Sequence, residues 1–506
     1  MPQVKRIAWF IIFISVLAGC KKDRSDKPVS QSSEKEFASF KIEAALNKDF
    51  IKVDIEGLID EEKINLSIPA GTNLAKLIAS FTFKGEKVLV KGVEQQSAKT
   101  SNDFSGPLEY VIEAEDGSKR SYSIVVEEKE SPELKEGIPH IYIVTEGAAE
   151  IQRDYLKGTI KIDGKGVYEN IEAATRIKGR GNSTWQYPKK PYKIKLDSKA
   201  SILGLKEAKE WVLLANYLDE TLMLNAVAMK IGQLLEFPYA NTMIPIDLTV
   251  NGVYRGSYNL TEQVEVGKNR VNIEDGGVLL ELDTYFDEEF KFKSNSYDLP
   301  VMVKYPELEE YSQTEAKAEL SKIKNEFNVM EQAISATSFP NNNYLDYIDA
   351  DALVAYLLVY NLTDNEEINH PKSTYLHKPK DGKYIMGPLW DFDWAYSYEQ
   401  QNIYFISASR PLFWQDRPSS GNLFFTRFLK DPKIKALYKQ KWIDFKNQSF
   451  PDLLTYIDEY SGLITESKKK DYSLWRTGTD FKEDVKKLRS WMIERANYID
   501  SYVASF

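Results

Sequence analysis

Alternating apolar and polar residues dominate the chain between Phe37 and Val126. A period of two places successive side chains on opposite faces of a strand, so each alternating run predicts a half-buried β-strand. Turn-forming residues separate the runs at short intervals, which is typical of a β-sandwich of about seven strands. The clearest runs are "FIKVDIEGLI", "KINLSIPA", "FTFKGEKVLVKGV", "LEYVIEAEDGS" and "RSYSIVVEE". The pattern predicts an all-β domain over residues 37–128, and no catalytic constellation is found in it.

A charged stretch bounded by prolines, "EEKESPELKEGIP", predicts a domain boundary, and the second domain is expected to cover residues 139–506. It opens with strand-like runs, continues with a helix that begins near Asp219, and returns to strands in "IPIDLTVNGVYRGSYNLTEQV". After about Thr314 the pattern is helical, apart from a hairpin-like stretch between Ser373 and Asp393. A β-rich first half and a helix-rich second half predict an α+β domain.

The composition narrows the class of protein. Hydrophobic residues make up 42% and charged residues 28% of the 506 positions, a globular balance rather than that of a disordered or multi-span membrane chain. The net charge of -10 disfavours sequence-independent attraction to nucleic acid, so no nucleic-acid partner is expected. Three histidines argue against a multi-histidine zinc site, and the lone cysteine, Cys20, allows no intrachain disulfide.

The N-terminus is typical of an export signal. "MPQVKRIAWFIIFISVLAGCKKD" has basic residues, an apolar run too short for an ordinary spanning helix, and small residues before Cys20. "LAGC" resembles the bacterial lipobox, which would make residues 1–20 a lipoprotein signal peptide and Cys20 the lipidated first residue. A plain signal peptide followed by an incidental cysteine is the alternative. Residues 21–36 are polar and predict a flexible tether, so we expect a membrane-anchored lipoprotein in the periplasm or on the cell surface.

Two neighbouring segments could bind phosphate. In "RIKGRGNSTW" the glycines let backbone amides approach an anion and Arg180 supplies a forked cation, although a glycine-containing hairpin turn explains the segment equally well. In "PKKPYKIKL" Lys193 and Lys195 share one side of a predicted strand, with Lys189 and Lys190 just upstream. These lysines could neutralise a nucleotide or form a solvated face.

Two acidic segments could complete such a site. Asp364 precedes Asn369 by five residues after an apolar helix, a spacing that suits a carboxylate accepting a hydroxyl proton and an amide holding a metal, or simply a capping loop. Asp391 and Asp393, in "GPLWDFDWA", would point to one side of an extended segment, as metal ligands can. Without a cation their like charges would raise each other's pKa. The alternative is that one aspartate caps a turn and the other is exposed.

A phosphate-type loop, strand lysines, an Asp–Asn loop and a second acidic element follow one another in the order used by protein kinases. The region from about residue 139 onward resembles the CotH kinase family of atypical kinases, and this resemblance implies a kinase-like fold that uses ATP with Mg²⁺ or Mn²⁺. The β domain is not covered by it and resembles the immunoglobulin-like modules of bacterial surface lipoproteins. The stretches that carry the family resemblance are "RIKGRGNSTW…KKPYKIKL", "WVLLANYLDETLMLNAVA", "VNGVYRGSYNLTEQV" and "GPLWDFDWA".

The resemblance implies a role for individual residues. Asp364 falls on the catalytic aspartate, and Asp219 could either orient the phosphate-contacting lysine or cap its helix. The family commonly has an asparagine where this chain has Ser373, so one metal ligand is replaced and Asn369 would have to substitute for it. The residues expected to bind nucleotide are Arg180, Gly181, Asn182, Lys190, Lys193 and Glu262, and those expected to bind metal are Asp391, Asp393 and Asn369.

The implied activity is transfer of the ATP γ-phosphoryl group to a serine or threonine of an envelope or surface protein. The departure at Ser373 leaves a catalytically inactive surface binding or adhesion lipoprotein as the alternative.

Overall fold

The computed structural model describes residues 32–506 except residues 44, 49, 52–54, 70–71, 130–136, 274–275 and 400–402. The chain divides into two compact units, one ending at Glu127 and the other beginning at Glu128. Cys20 and the predicted signal peptide lie outside the described residues. Across the described part of the chain, no helix is both long enough and apolar enough to cross a membrane.

The N-terminal unit consists of two antiparallel sheets around one hydrophobic core. The sheet orders are β2-β1-β5-β8 and β3-β4-β10-β9-β6-β7. Phe40 and Phe81 of the first sheet pack edge-on against Tyr110 of the second, with ring centroids 5.1 and 5.9 Å apart. The predicted β-rich unit is confirmed, with ten described strands instead of about seven because several pair over only two or three residues. The strands are β1 (Glu36–Ile42), β2 (Ile55–Glu56), β3 (Leu58–Asp60), β4 (Lys63–Pro69), β5 (Leu77–Lys84), β6 (Lys87–Val90), β7 (Val93–Glu94), β8 (Ser101–Asn102), β9 (Leu108–Glu113) and β10 (Lys119–Lys129).

The C-terminal unit begins with a closed barrel in the order β11-β12-β13-β14-β15-β17-β16, in which β16 closes the ring parallel to β11. The β16–β17 hairpin turns at Asn251 and Gly252, whose φ angles of 49° and 76° are those of a type I′ turn. The barrel was not predicted from the sequence, although most of its strands were. Its strands are β11 (His140–Thr145), β12 (Leu156–Asp163), β13 (Ile171–Gly179), β14 (Tyr192–Ala200), β15 (Ala208–Leu214), β16 (Ile244–Val250) and β17 (Val253–Glu262).

A second sheet in the order β19-β20-β18-β21-β22 and seven described helices complete this unit. The predicted hairpin is formed by β21 and β22, and the helical region begins at Gln313, as the pattern indicates. The strands are β18 (Val278–Leu282), β19 (Lys291–Lys293), β20 (Pro300–Tyr305), β21 (Thr374–Lys378) and β22 (Ile385–Met386). The helices are α1 (Leu224–Leu234), α2 (Gln313–Ser335), α3 (Ala350–Leu362), α4 (Ser420–Phe428), α5 (Pro432–Gln448), α6 (Phe450–Trp475) and α7 (Phe481–Ala504).

Helix α3 is apolar on every side and lies in the middle of the helical core. Asp349 caps it by accepting the Ala352 N–H at 2.8 Å. The helix contacts α1, α5, α7 and β22, and every residue from Ala352 to Leu362 is buried. It ends at Leu362, and Asp364 follows with a φ of 46°, a left-handed conformation that turns its side chain back toward the core.

A buried ion pair joins the barrel to helix α6. Lys189 donates to Asp471 Oδ2 at 2.5 Å and to the Ser257 carbonyl at 2.6 Å, while the Ser257 N–H donates to the same carboxylate oxygen at 2.9 Å. A Cβ on Gly256, whose φ is 108°, would collide with that carboxylate. The glycine therefore lets a helix side chain bind directly to the strand backbone.

The first helix begins five residues later than the sequence predicts. Asp219 accepts the N–H groups of Thr221 and Leu224 at 2.7 and 2.8 Å, so its carboxylate orders the turn that leads into α1. Of the two roles open for Asp219, the geometry fits the capping role. The α+β class of the chain is confirmed.

Candidate functional site

A cleft of about 300 Å³ in the C-terminal unit brings together segments that are far apart in sequence. The loop after β13 forms one wall, and strands β18, β20 and β21 form another. The segment after β22 reaches the cleft with Asp391 and Asp393, and the start of α1 reaches it with Asn225. The loop after β13 and the segment with Asp391 and Asp393 were both candidates in the sequence, whereas Asn225 was not.

The loop after β13 places Arg180 at the cleft together with Gly181 and Asn182. The Arg180 guanidinium lies 5.2 Å from the ring centroid of Trp390, and the negative charge of Asp391 acts on it. Gly181 has a φ of 81°, and a Cβ there would collide with the Thr184 hydroxyl, so only glycine allows this tight turn. The structure thus brings three of the predicted nucleotide-binding residues into one cleft.

Asp391 and Asp393 form a coupled pair of half-buried carboxylates. Burial and the neighbouring charge of Asp391 raise the pKa of Asp393 to about 7, and burial raises the pKa of Asp391 against the opposing charge of Arg180. Asn225 supports the pair because its amide donates to Asp393 Oδ1 and accepts the Phe392 N–H at 2.9 Å. Asp391 also accepts a long hydrogen bond, 3.4 Å, from the hydroxyl of Ser373.

These carboxylates fit a divalent cation shared with a ligand. Among the described residues, no group of three or more histidine, cysteine, aspartate or glutamate side chains is arranged to hold a metal ion by itself. Mg²⁺ is usually held by only one or two carboxylates together with substrate phosphates, so two coupled aspartates suffice for it. Burial is the main cause of their raised pKa values, and a bound cation would lower both.

Carboxylates outnumber cations along the cleft and the small recess that adjoins it. The described lining residues with cationic side chains are Arg180, Lys189, Lys304 and Lys372. Those with carboxylates are Glu281, Asp283, Asp287, Glu288, Glu367, Asp391 and Asp393. A polyphosphate would be repelled by this set unless cations accompanied it, so the cleft is suited to a metal–nucleotide complex rather than to a free nucleotide.

Strands β18 and β20 contribute a polar group that sequence reasoning missed. Glu281 is buried, and Lys304 lies 3.5 Å from it while also pairing with Glu288. Burial raises the pKa of Glu281 to about 7 despite the attraction of Lys304. The signal available in the sequence was the acidic "ELD" at the end of the apolar run "GGVLLELD", since polar residues that end a buried strand often face a site.

Glu367 and Lys372 line the recess that adjoins Asp391 and Asp393. Their charged groups are 4.0 Å apart, and the Lys372 ammonium also lies 4.5 Å from the ring centroid of Trp394. Burial raises the pKa of Glu367 well above its usual range, and the negative charge of Asp391 adds to this effect. Glu367 was not singled out in the sequence, where Asp364 drew attention instead.

Asp364 is not among the residues that line the cleft. Its side chain is fully buried and binds Arg495 at 3.0 Å, Arg410 at 3.1 Å and the Ser397 hydroxyl at 2.6 Å. Both carboxylate oxygens are therefore engaged by internal donors. A catalytic role for Asp364 stays a prediction, and this geometry does not support it.

The remaining predicted residues also point away from the cleft. Asn369 is buried, with its amide engaged by the Leu412 carbonyl and the Trp414 N–H, so the geometry does not support it as a metal ligand. Glu262 accepts the Thr242 N–H at 2.8 Å. Because side chains alternate along a strand, the neighbouring Gln263 faces the cleft instead.

The two predicted lysines are engaged outside the cleft. Lys190 donates to the Trp185 carbonyl at 2.6 Å, and Lys193 pairs with Glu210, which also binds Lys195. The solvated-face alternative fits this arrangement. Lys189, which was noted only as a neighbour, is the lysine of this segment that lines the cleft.

The C-terminal unit is thus an α+β unit in which a glycine-containing loop and a pair of aspartates line one cleft. The family model described as CotH kinase protein matches residues 177–499, well over half of the chain, and the chain belongs to this family. A second family model, described as SGBP, N-terminal, matches residues 41–126, so the β unit is similar to that domain.

Other comparisons add little. No curated protein matches the chain. One matching solved structure, from Bacteroides thetaiotaomicron, is described as a "putative glycoside hydrolase"; it is 15% identical, and the match covers 44% of this chain and 55% of that one. Its TM-score of 0.15 carries no argument about fold or activity.

We predict that Asp364→Asn destabilises the C-terminal unit by about 3–5 kcal/mol, because it leaves the buried Arg495 charge without its partner. Urea unfolding of the full chain measures this loss. The matched control is Asp351→Asn, whose carboxylate is 68% exposed and pairs with Lys441 at 2.8 Å; its loss should not exceed about 1 kcal/mol. Equal stability of the two variants would contradict a structural role for Asp364.

A second prediction concerns the pH dependence caused by Asp393. Its pKa is about 7 in the folded state and the ordinary 3.8 when unfolded, so the folded state binds the extra proton between these values. Stability in a metal chelator should therefore fall as the pH rises from about 4 to 7. Asp393→Asn should reduce this fall and raise the melting temperature at pH 8, measured by differential scanning fluorimetry. If Asp393→Asn has the same pH profile as the wild type, repulsion between the two aspartates does not lower the stability of the fold.

Proposed function

We propose that the C-terminal unit binds ATP with Mg²⁺ or Mn²⁺ and transfers the γ-phosphoryl group to a serine or threonine of an envelope or surface protein. The observation that supports this best is the meeting of the Arg180 loop with Asp391 and Asp393 in a cleft where carboxylates outnumber cationic side chains. Membership of the CotH kinase family also supports a kinase-like function.

In this proposal each wall of the cleft has a separate task. Asp391 and Asp393 would hold the divalent cation, which would neutralise the phosphates and orient them for transfer. Arg180 would donate its forked N–H groups to phosphate oxygens, and its packing on Trp390 would fix the direction of that fork. Phosphoryl transfer depends mainly on such positioning and charge neutralisation.

The group that receives the hydroxyl proton is proposed to be Glu367 in place of Asp364. Glu367 lines the same recess as both metal-site aspartates, whereas Asp364 is saturated by arginines. Burial raises the pKa of Glu367, which makes it a stronger base than an ordinary carboxylate. Lys372 would limit this effect and keep the carboxylate oriented.

We also propose that the protein is exported and held at a membrane by lipid on Cys20. The basic and apolar leader with "LAGC" supports this location. The similarity of the β unit to the SGBP N-terminal domain is compatible with a surface role.

A second candidate function is binding without transfer. The placement of Asp364 in an internal ion pair favours it, because the residue on the catalytic position of the family cannot reach a substrate while it binds Arg495 and Arg410. In that case the cleft would bind a metal–nucleotide complex as a structural or regulatory ligand.

The third prediction separates these candidates. Asp391→Asn should abolish Mg²⁺-dependent ATP binding, measured by calorimetry, since it removes one of two cation ligands. Glu367→Gln should keep this binding yet lose transfer from labelled ATP to protein. The exposed Asp381→Asn is the matched control and should change neither quantity. Wild-type protein that binds no nucleotide with either metal would refute the kinase proposal, and binding without any transfer would support the second candidate.

The fourth prediction tests the anchor. Cys20→Ala should move the protein from the detergent phase to the aqueous phase in a partitioning experiment, while its melting temperature stays the same because Cys20 precedes both folded units. A variant that remains in the detergent phase would argue against lipidation at this residue.

A further inference from the structure

The C-terminal unit contains a second cavity, separate from the charged cleft. It has a volume of about 390 Å³, within the range of about 300–1,000 Å³ usual for small-molecule sites. Its walls come from the loop after β14, from α1, from the start of β16 and from α6. Most of the lining is apolar and includes Leu203, Met229, Met243, Pro245 and Leu463.

One charged side chain interrupts this apolar lining. Lys230 is only 5% exposed, and no described residue forms a hydrogen bond or ion pair with its ammonium. The ammonium lies 5.2 Å from the ring centroid of Tyr456, a contact that replaces only part of the lost hydration. Burial lowers the pKa of Lys230, while the negative charges of Asp452 and Glu459 oppose this shift. A cation this buried is costly unless it meets an anion.

Lys230 lies on the face of α1 that lines the cavity. Ala226, Met229, Lys230 and Gln233 follow a spacing of three and four residues, so they form one face of the helix, and all four line the cavity. Gln233 is satisfied by the Asn241 carbonyl at 3.0 Å. Among the described residues, the Lys230 ammonium has no comparable hydrogen-bond partner. It is therefore the group on this face that is free to bind an anionic ligand.

Tyr456 supplies a second polar group at the same place. Its ring lies beside the Lys230 ammonium, and its hydroxyl belongs to a residue that lines the same cavity. A carboxylate has two oxygens, one of which could meet the ammonium while the other accepts the phenolic hydrogen. Most of the remaining lining is apolar and could contact the rest of such a ligand.

We propose that this cavity is a binding site for a small anionic amphiphile, a medium-chain carboxylate whose head group binds Lys230 and whose alkyl chain packs on Leu203, Met243 and Leu463. Each methylene that the cavity buries would strengthen binding, because it is removed from water. Met243 also lines the charged cleft, so the two sites share one side-chain wall. The inference does not depend on the proposed kinase activity, because it requires only binding.

The test uses decanoate as the probe and isothermal titration calorimetry of the full chain below the concentration at which decanoate forms micelles. Saturable binding at one site is expected. Lys230→Met should weaken it by about tenfold or more, the loss of one charge-assisted hydrogen bond, and Lys230→Arg should restore most of the affinity. Lys439→Met, on the exposed face of α5, is the matched control and should bind like the wild type.

A second variant tests the apolar half of the site. Leu463→Trp leaves every charge in place but narrows the cavity, and it should weaken decanoate binding, while decanol should bind the wild type less well than decanoate. Unfolding curves confirm that each variant is folded. No saturable binding by the wild type, or equal affinity in the wild type and Lys230→Met, would overturn the proposal, and neither result bears on ATP binding in the cleft.

Discussion

A single buried guanidinium organises the parts of the C-terminal unit that surround the cleft. Arg495 of α7 is fully buried and donates to the Asn361 carbonyl at the end of α3, to Asp364 just beyond it, and to the carbonyl of Ala408. One planar group with five donors thereby joins three segments that are separated by up to 134 residues. Because a buried arginine is tolerated only when its donors and charge are satisfied, these segments must fold together or not at all. Asp364 is the one carboxylate in this set, which explains why it is held inside the protein.

The carboxylates of the C-terminal unit therefore fall into two groups, those paired with a cationic side chain and those placed beside a like charge. Asp364 and Asp471 are paired with arginine or lysine at 3.1 Å or less, so their burial is compensated within the protein. Asp391 and Asp393 are placed beside each other instead, and Arg180 is the first cation to act on Asp391. A protein that can pair buried carboxylates this well elsewhere has no structural need to leave two of them in mutual repulsion. This difference distinguishes the cleft from the internal ion pairs, because Arg180 and Lys372 oppose only part of the negative charge of the two carboxylates.

The strands and some site residues could be predicted from the sequence, whereas the barrel and other site residues could not, and the difference has physical reasons. Period-two alternation identified the β-rich N-terminal unit and most barrel strands, because alternation is a local property, whereas barrel closure depends on the parallel pairing of β11 with β16 across a hundred residues. Arg180 and the aspartate pair were found because each lies in a short motif with a recognisable chemistry. Glu367 and Lys304 were missed because nothing in their local sequence indicates that they approach the motif residues, and Glu281 was missed although the acidic end of its apolar run was a signal. Asp364 was favoured from the sequence because its true partner, Arg495, lies 131 residues away.

The backbone around Asp391 and Asp393 adopts an unfavourable conformation that directs both carboxylates toward the cleft. Asp391 has a φ of 61°, a conformation that few side chains other than asparagine and aspartate adopt, and Phe392 beside it is fully buried. The aromatic side chain thus anchors the segment in the core while the two carboxylates on either side are turned toward the cleft. Asn225 holds that arrangement by binding both the Phe392 N–H and the Asp393 carboxylate, so α1 fixes the geometry before any ligand arrives. An amide can do this without adding charge, whereas a lysine in its place would neutralise Asp393. The buried Phe392 therefore supplies rigidity, and Asn225 directs the Asp393 carboxylate, so both carboxylates are held at the cleft by uncharged groups of the protein itself.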